Sequence, residues 1–325
     1  MCDGLGFKSS GDQKLGMFYF AIGNIHPKYR SELKFINLAA IVKYADIQKY
    51  GINKVLEPLI KELKLLEKEI ILPNGQKIFG ALFAIQGDNL GVHMLCGLKE
   101  GFTANRPCRD CMATLQQVRQ MTQEDESLLR TPEQHEEQVA EIEEAEGREK
   151  ERLSTEYGIN RRCSLTELLK VDPTRSAPHD IVHDHLLGDF ILTLQLLMQK
   201  VVLKKLPLSV INDRIQNFDY GYNELSYKPS TIKSQHLVPG NNLHQNASQM
   251  FLLAFIIPFV VQDVIEENCP YFENYSQLLE IISIIFGTSI STGMLDYLKD
   301  ITEEYLESFR DLYITKLTLK TMFLF

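Results

Sequence analysis

The stretch that decides the fold is residues 79–111, FGALFAIQGDNLGVHMLCGLKEGFTANRPCRDC. Residues 81–85 form a short apolar run between Gly80 and Gly87, and the length of this run favours a buried strand over a helix. Asp88 follows directly after the carboxyl end of that predicted strand. Side chains at this edge of an open α/β sheet face a crevice, so Asp88 is a candidate catalytic or ligand-binding residue. The alternative is that Asp88 caps the next helix by accepting bonds from backbone N–H groups.

The same stretch ends on the cysteine pair Cys108-x-x-Cys111. This spacing brings two thiolates within reach of one metal ion, and structural zinc sites commonly begin with such a pair. Two other interpretations stay open, which are a redox-active dithiol and a pair of unligated thiols.

Size and composition indicate a folded protein with a full core, since 44% of the 325 residues are apolar. No secretory signal pattern opens the sequence. The longest apolar run, residues 250–261, contains Pro258 and is shorter than the roughly 20 residues that a membrane span requires. We therefore expect a buried helix there and no membrane partner. Six cysteines in a chain of this length favour a reducing compartment.

The acidity of the chain is concentrated in one segment. The net charge is −9, and residues 122–152 contain 12 acids against 4 bases, which leaves the other residues close to neutral. Residues 127–156 are rich in Glu and Gln and lack aromatic side chains. This composition predicts a solvated helix or a mobile linker, and we place an acidic helical linker at residues 121–157.

Hydrophobic patterns before the linker predict a mixture of strands and helices around a small sheet. Residues 17–22 read as a strand, and a helix capped by Ser31 is expected to carry the apolar residues from Leu33 to Val42. Residues 55–66 have the apolar stripe of a second helix. The Pro-Asn-Gly turn at 73–75 then predicts a hairpin between residues 70–72 and the strand that includes 79–85.

Helical patterns dominate after the linker. They cover residues 184–203, 208–218, 247–267, 275–286 and 294–312. A long loop at residues 220–240 separates the second pattern from the third. The last residues, 315–325, stop without a helix stop signal, so we expect the natural product to continue.

Five sequence blocks together resemble one protein family. They are residues 14–31 (KLGMFYFAIGNIHPKYRS), 87–102 (GDNLGVHMLCGLKEGF), 107–114 (PCRDCMAT), 176–189 (SAPHDIVHDHLLGD) and 219–230 (DYGYNELSYKPS). In this order they resemble transposase-like proteins of animal DNA transposons, which are relatives of the CACTA and Kyakuja-Dileera-Zisupton transposases with their three catalytic acids (DDE). The resemblance covers nearly the whole chain, here truncated at both ends.

The resemblance implies an α/β (α+β) protein with an incomplete RNase H-like sheet domain, a large, mostly helical insertion and a helical C-terminal half. We assign the incomplete catalytic core with its cysteine knuckle to residues 1–120. The helical insertion region and a late helix of the catalytic type then occupy residues 158–325, after the acidic linker.

The resemblance also implies three acids that hold two Mg²⁺ ions for DNA cleavage and strand transfer. Asp88 matches the second acid of the family. The third acid is expected on a late helix, where Glu304 and Glu307 are candidates together with Glu303. We expect the first acid upstream of Met1, because Asp3 and Asp12 lie in a predicted loop and are poor substitutes.

For zinc, His183 is the histidine that matches the family motif, so the expected site contains Cys108, Cys111, His183 and one unassigned ligand. His179 and His185 are nearby candidates for that ligand but do not match the motif. Leu187 stands where the family pattern has Glu.

These features predict a transposase-derived nuclear protein whose inherited chemistry is metal-dependent phosphodiester cleavage and joining, inactive in this chain. DNA is the expected partner, with homo-oligomers if the protein is active, and no small-molecule substrate. Alternatives are a non-enzymatic nuclear protein that binds DNA or another protein, and a functionless transposon fragment. An aromatic and basic set either stacks on bases or packs its loop onto the core, namely Phe218, Tyr220, Tyr222, Tyr227, Lys228 and Lys233.

Overall fold

The computed structural model describes residues 14–101 and 104–313, so Asp3, Asp12 and residues 315–325 lie outside the described residues. The chain divides into two units. Unit 1 comprises Met1–Gln117 and Asp125–Asp180, and unit 2 comprises Val118–Glu124 and Ile181–Phe325. The described residues form a mixture of helices and two small antiparallel sheets, which confirms the α+β class. The RNase H-like arrangement stays a prediction.

Unit 1 contains all the strands of the described residues and the first helices. The strands are β1 (Leu15–Ala21), β2 (Ile36–Lys43), β3 (Ile70–Ile71) and β4 (Lys77–Ile78). The helices are α1 (Pro27–Arg30), α2 (Tyr44–Tyr50), α3 (Ile52–Lys68), α4 (Asn89–Cys96), the boundary helix α5 (Leu115–Val118), α6 (Pro132–Glu144) and α7 (Gly147–Tyr157). Short 3₁₀ turns occupy Leu33–Phe35, Glu126–Leu128 and Ser164–Glu167.

The first sheet is an antiparallel pair in which Leu15 of β1 lies opposite Lys43 of β2 and Ala21 lies opposite Ile36. β1 confirms the strand predicted near residues 17–22. The helix predicted after Ser31 is wrong, since residues 36–43 form β2. Three of those eight residues are β-branched, and backbone bonds to β1 replace the helical ones.

Several apolar side chains of this sheet face solvent. Phe20, Leu38 and Ile41 are each about half exposed, and so is Ile22 just past the end of β1. Within the described residues β1 and β2 pair only with each other, so the outer edge of each strand is open.

Helix α3 confirms the predicted amphipathic helix, with Ile52, Leu56 and Ile60 buried along one side. The hairpin that follows is shorter than predicted, because only β3 and β4 pair across the turn. The strand predicted at residues 79–85 is wrong, as these residues form no ladder. Backbone bonds tie the segment to the rest of unit 1, from the Gly80 N–H to the Leu66 carbonyl at 3.1 Å and from the Ile85 N–H to the Ser176 carbonyl at 2.7 Å.

The acidic segment forms α6 and α7. Their Glu side chains face solvent, while Val139 and Ile142 of α6 and Leu153 of α7 lie in the core of unit 1. The rest of that core comes from α2, α3, Ile85, α4, Leu98 and residues 159–177. The acidic side chains and the buried apolar side chains therefore lie on opposite faces of the same helices.

Unit 2 is helical and confirms the helical patterns predicted after residue 184. A π-helix (Val182–Asp189) leads directly into α8 (Phe190–Lys200), which is followed by α9 (Leu208–Asn217), α10 (Gly221–Glu224), α11 (Ala247–Val261), α12 (Pro270–Ile285) and α13 (Thr292–Tyr313). Short 3₁₀ turns occupy Val202–Lys204, Leu225–Tyr227, Ser234–Leu237 and Gln262–Val264.

The core of unit 2 is built from α8, α11, α12 and α13. Two buried tyrosines satisfy their hydroxyls inside it, Tyr275 by donating to the Ala254 carbonyl and Tyr305 by pairing with Thr193, both at 2.8 Å. Two helical stretches, Val182–Lys204 and Ala247–Val264, are long and apolar enough to cross a membrane by length and composition. In this protein both contribute side chains to the unit 2 core, as predicted for residues 250–261.

We predict that Gly97→Ala destabilises unit 1 much more than Gly75→Ala. Both glycines have a left-handed φ, +76° and +79°, but a Cβ at residue 97 would collide with the Arg161 carbonyl, whereas open space surrounds Gly75. The strained φ alone costs of order 1–3 kcal/mol in either variant. Urea unfolding should show an additional loss only for Gly97→Ala, and equal losses would contradict the close approach.

Candidate functional site

Asp88 caps helix α4. Its Oδ1 accepts a hydrogen bond from the Gly91 N–H at 2.6 Å, and its backbone is extended at φ −62° and ψ 163°. This is the geometry of an N-cap residue, so the structural interpretation of Asp88 is confirmed. Asp88 is partly exposed. The metal-binding role of Asp88 stays a prediction.

Helix α4 carries a buried histidine that the sequence did not single out. The Nδ1 atom of His93 lies 2.8 Å from the Lys99 carbonyl, to which it donates, and its Nε2 atom has no hydrogen-bond partner among the described residues. The side chain is only 6% exposed. Burial lowers the pKa of His93 to about 4, so the imidazole is neutral in the folded protein near pH 7.

The two cysteines lie side by side in unit 1. The Asp110 N–H donates to the Cys108 sulfur at 3.4 Å, an arrangement that favours negative charge on sulfur. The two neighbouring thiols affect each other, so that the pKa of Cys111 is lowered and that of Cys108 is raised.

A short antiparallel pairing fixes the conformation of the cysteine pair. Cys111 forms a β-bridge with Leu129, and the Arg130 N–H donates to the Asp110 carbonyl at 2.8 Å. The Met112 N–H donates to the Leu128 carbonyl at 2.7 Å. The cysteines are therefore held by backbone bonds that are independent of any metal.

Two buried arginines surround the pair, and sequence reasoning missed both. Arg109 is fully buried and donates from Nη1 to Asn89 Oδ1 at 2.9 Å and from Nη2 to the Pro178 carbonyl at 3.2 Å. Arg130 is 4% exposed and donates from Nη2 to the Tyr157 carbonyl at 2.9 Å. Arginine is rarely buried, and although Arg109 lies between the cysteines, nothing in the sequence signals the burial of either side chain.

The histidines predicted for zinc fall in different units. His179 belongs to unit 1 and pairs through Nε2 with Oδ2 of Asp110, the residue between the cysteines. His183 and His185 lie on the π-helix of unit 2, where Nδ1 of His185 is 3.3 Å from Oδ2 of Asp189. Unit 1 thus brings together Cys108, Cys111 and the Asp110–His179 pair, with His179 engaged to the carboxylate.

The side chains around the cysteine pair supply part of a zinc site. Two adjacent thiols held by a backbone knuckle suit half of a tetrahedral zinc site. Nowhere among residues 14–101 and 104–313 do three or more His, Cys, Asp or Glu side chains form a group able to hold a metal ion. Two thiols alone do not complete a tetrahedral zinc site.

The carboxylates predicted for Mg²⁺ do not form such a group either. Glu304 and Glu307 lie on the exposed face of α13 in unit 2, where Glu304 Oε2 is 3.5 Å from Nε2 of Gln277. Asp88 lies in unit 1 as a helix cap. The residues described by the structure therefore do not fit a two-metal centre.

Two comparisons with known proteins were made for this sequence, and neither identifies a related protein. A scan against models of protein families finds no match to this chain, and a search of curated proteins finds none either.

We predict that His93 makes unit 1 sensitive to acid. Because the pKa is about 4 when folded and near 6.5 when unfolded, the unfolded chain binds the extra proton between these values. The free energy of unfolding is thus retained above pH 6.5 and falls as the pH drops towards 4. From pH 7 to pH 5 the loss from His93 is about 2 kcal/mol.

Urea unfolding at the two pH values checks this, with His93→Gln as the variant that flattens the dependence. Some dependence remains in that variant, because burial also lowers the pKa of His135 to about 4. The exposed His244→Gln serves as the control and should behave as the unaltered protein. An unchanged slope in His93→Gln would contradict the assignment.

Proposed function

We propose that this protein derives from a transposase, that its inherited chemistry is metal-dependent cleavage and joining of DNA, and that this chain does not perform it. The observation that carries the proposal is the state of Asp88. It follows an extended apolar segment, as the second acid of the resembled family would, yet its carboxylate serves as a helix cap.

The energetics of metal binding support the proposal that this chain does not cleave and join DNA. Two divalent cations about 3.5–4 Å apart require several carboxylates to offset their charge and position the phosphate. The candidate acids Asp88, Glu304 and Glu307 belong to no group of three or more ligands within the described residues. A single capping carboxylate is too weak a ligand set to hold both ions.

In this proposal the retained role is binding in the nucleus, either to DNA or to a partner protein. As the family resemblance implies, the knuckle of Cys108 and Cys111 supplies two thiolate ligands to a structural zinc ion whose remaining ligands are unassigned. What supports it is the backbone pairing that presents both sulfurs side by side. Zinc in such a site contributes folding free energy and takes no part in bond cleavage.

We predict that purified protein does not nick supercoiled plasmid DNA in the presence of Mg²⁺, and that Asp88→Asn leaves this result unchanged. Asparagine caps helices about as well as aspartate, so Asp88→Asn removes the charge and keeps α4 intact. An authentic Mg²⁺-dependent nuclease run in parallel verifies the assay. Mg²⁺-dependent nicking that disappears in a folded Asp88→Asn variant would refute the proposal and restore Asp88 as a catalytic residue.

The second candidate function is direct DNA binding by unit 2. It is favoured because the aromatic side chains between residues 218 and 227 fall into two groups, one packed inward and one exposed to solvent. Phe218 and Tyr220 pack inward, and the Tyr220 hydroxyl donates to the Ile215 carbonyl at 2.8 Å. Tyr222 is 97% exposed and Tyr227 45% exposed, with the exposed Lys233 in the same stretch. Exposed aromatic rings beside a cation can stack on unpaired bases.

We predict that the double variant Tyr222→Ala, Tyr227→Ala weakens binding to labelled single-stranded DNA roughly 5-fold or more, since each stacked base contributes about 1–3 kcal/mol. Fluorescence anisotropy across a salt series measures it, because phosphate contacts make affinity salt-dependent. Tyr297→Ala, at a tyrosine of similar exposure to Tyr227, is the matched control. Equal affinity in both variants would exclude this surface.

A further inference from the structure

A cavity of about 140 Å³ lies within unit 1, beside helix α4. Strand β1, helix α3, residues 82–88 and helix α4 form most of its walls. The side chains that α3 and α4 contribute are all apolar, namely Leu56, Leu59, Leu63, Met94 and Leu95. Protein interiors leave few spaces larger than a water molecule, so a cavity of this size calls for an explanation.

The extended segment at residues 81–86 accounts for the space. Leu82 and Ala84 line the cavity, whereas Ala81 is exposed and Phe83 is 88% exposed. This alternation is typical of a strand, but within the described residues no strand pairs with the segment. On this side the cavity is therefore bounded by a single unpaired stretch of chain and not by a continuous sheet.

The volume and the walls of the cavity define the size of a matching ligand. An apolar cavity of about 150 Å³ stays free of water and holds a molecule as large as benzene. The cavity beside α4 is similar in volume, and most of its lining is apolar. It therefore fits an apolar group with the size of one six-membered ring.

Asp88 gives the cavity its charge. Among the described residues that line the cavity it is the only charged one, since Tyr19 and Gln86 are polar but neutral. Asp88 is partly exposed, and within the described ranges no cationic side chain forms an ion pair with it. Apolar walls screen a charge less than water does, so the field of this carboxylate favours a cation in the cavity.

We propose that this cavity binds a small cationic amine, whose ring lies among the leucines and whose ammonium group faces Asp88. Ligand pockets commonly combine apolar walls with a few polar groups that fix the orientation of the ligand. Asp88 then has two roles, as the cap of α4 and as the counter-charge of the amine. The inference involves neither DNA nor a metal ion, so it can fail while the proposed transposase origin stands, and the reverse.

The test compares three probes of nearly the same shape, namely benzylamine, benzyl alcohol and benzoate, which are cationic, neutral and anionic near pH 7. Isothermal titration calorimetry measures their affinities for the purified full chain. Thermal unfolding provides a second readout, because a ligand that binds only the folded protein raises the Tm. We expect saturable binding of benzylamine, roughly 5-fold weaker binding of benzyl alcohol, as for the loss of a partly exposed ion pair, and no binding of benzoate.

Three variants locate the site. Asp88→Asn keeps the cap of α4 and removes the charge, so it should bind benzylamine and benzyl alcohol with equal affinity. Ala84→Leu fills the cavity and should bind neither probe. Ala81→Leu adds the same atoms at an exposed residue of the same segment, so it is the matched control and should bind both probes as the unaltered protein does.

The inference is overturned if the unaltered protein does not bind benzylamine saturably, or binds it no more tightly than benzyl alcohol. It is also overturned if benzylamine binds Ala84→Leu as it binds Ala81→Leu. Should Ala84→Leu fail to unfold cooperatively in urea, Asp88→Asn decides the question. Loss of the preference for benzylamine in that variant supports the inference, and a retained preference overturns it.

Discussion

The buried guanidinium of Arg109 is the contact on which unit 1 depends most. Its bonds to Asn89 and to the Pro178 carbonyl join three segments that are far apart in sequence, namely the knuckle, the first turn of α4 and the end of the unit. Removing one partner of a buried charged hydrogen bond costs more than the bond itself contributes, because the other partner stays desolvated. Arg109 therefore couples the cap at Asp88 to the cysteine pair without taking part in either.

Hydrophobic periodicity was enough to predict the helices, because the backbone hydrogen bonds of a helix join residues that are close in sequence. Helix α3 and the longer helices of unit 2 have long apolar patterns and were predicted, whereas the four-residue helix α10 lies in a stretch predicted to be a loop. The sequence of β2 predicted a helix because the spacing of its apolar residues fits both the helical and the strand periodicity. Only the pairing with β1 decides between helix and strand. Residues 79–85 have the composition of a strand, but a strand also needs a partner, which sequence composition does not reveal.

In the candidate site too, the features set by residues close in sequence were predicted, and those that depend on distant segments were not. The cap at Asp88 and the closeness of Cys108 to Cys111 follow from spacing of two or three residues, and both were predicted. The burial of His93, Arg109 and Arg130 depends on segments up to 69 residues away, as the bond from Arg109 to Pro178 shows. No periodicity in the sequence encodes such contacts, so these residues could only be found in the folded protein.

The exposed apolar side chains of the β1–β2 sheet bear on how this protein behaves at high concentration. An isolated two-stranded sheet is marginally stable, and its open edges are templates for pairing between molecules. Electrostatic repulsion acts over about 8 Å at physiological ionic strength, and most of the net charge of −9 lies on residues 122–152. Repulsion is thus strongest at α6 and α7, and we expect association between molecules at high concentration to begin at the exposed apolar side chains of the β1–β2 sheet.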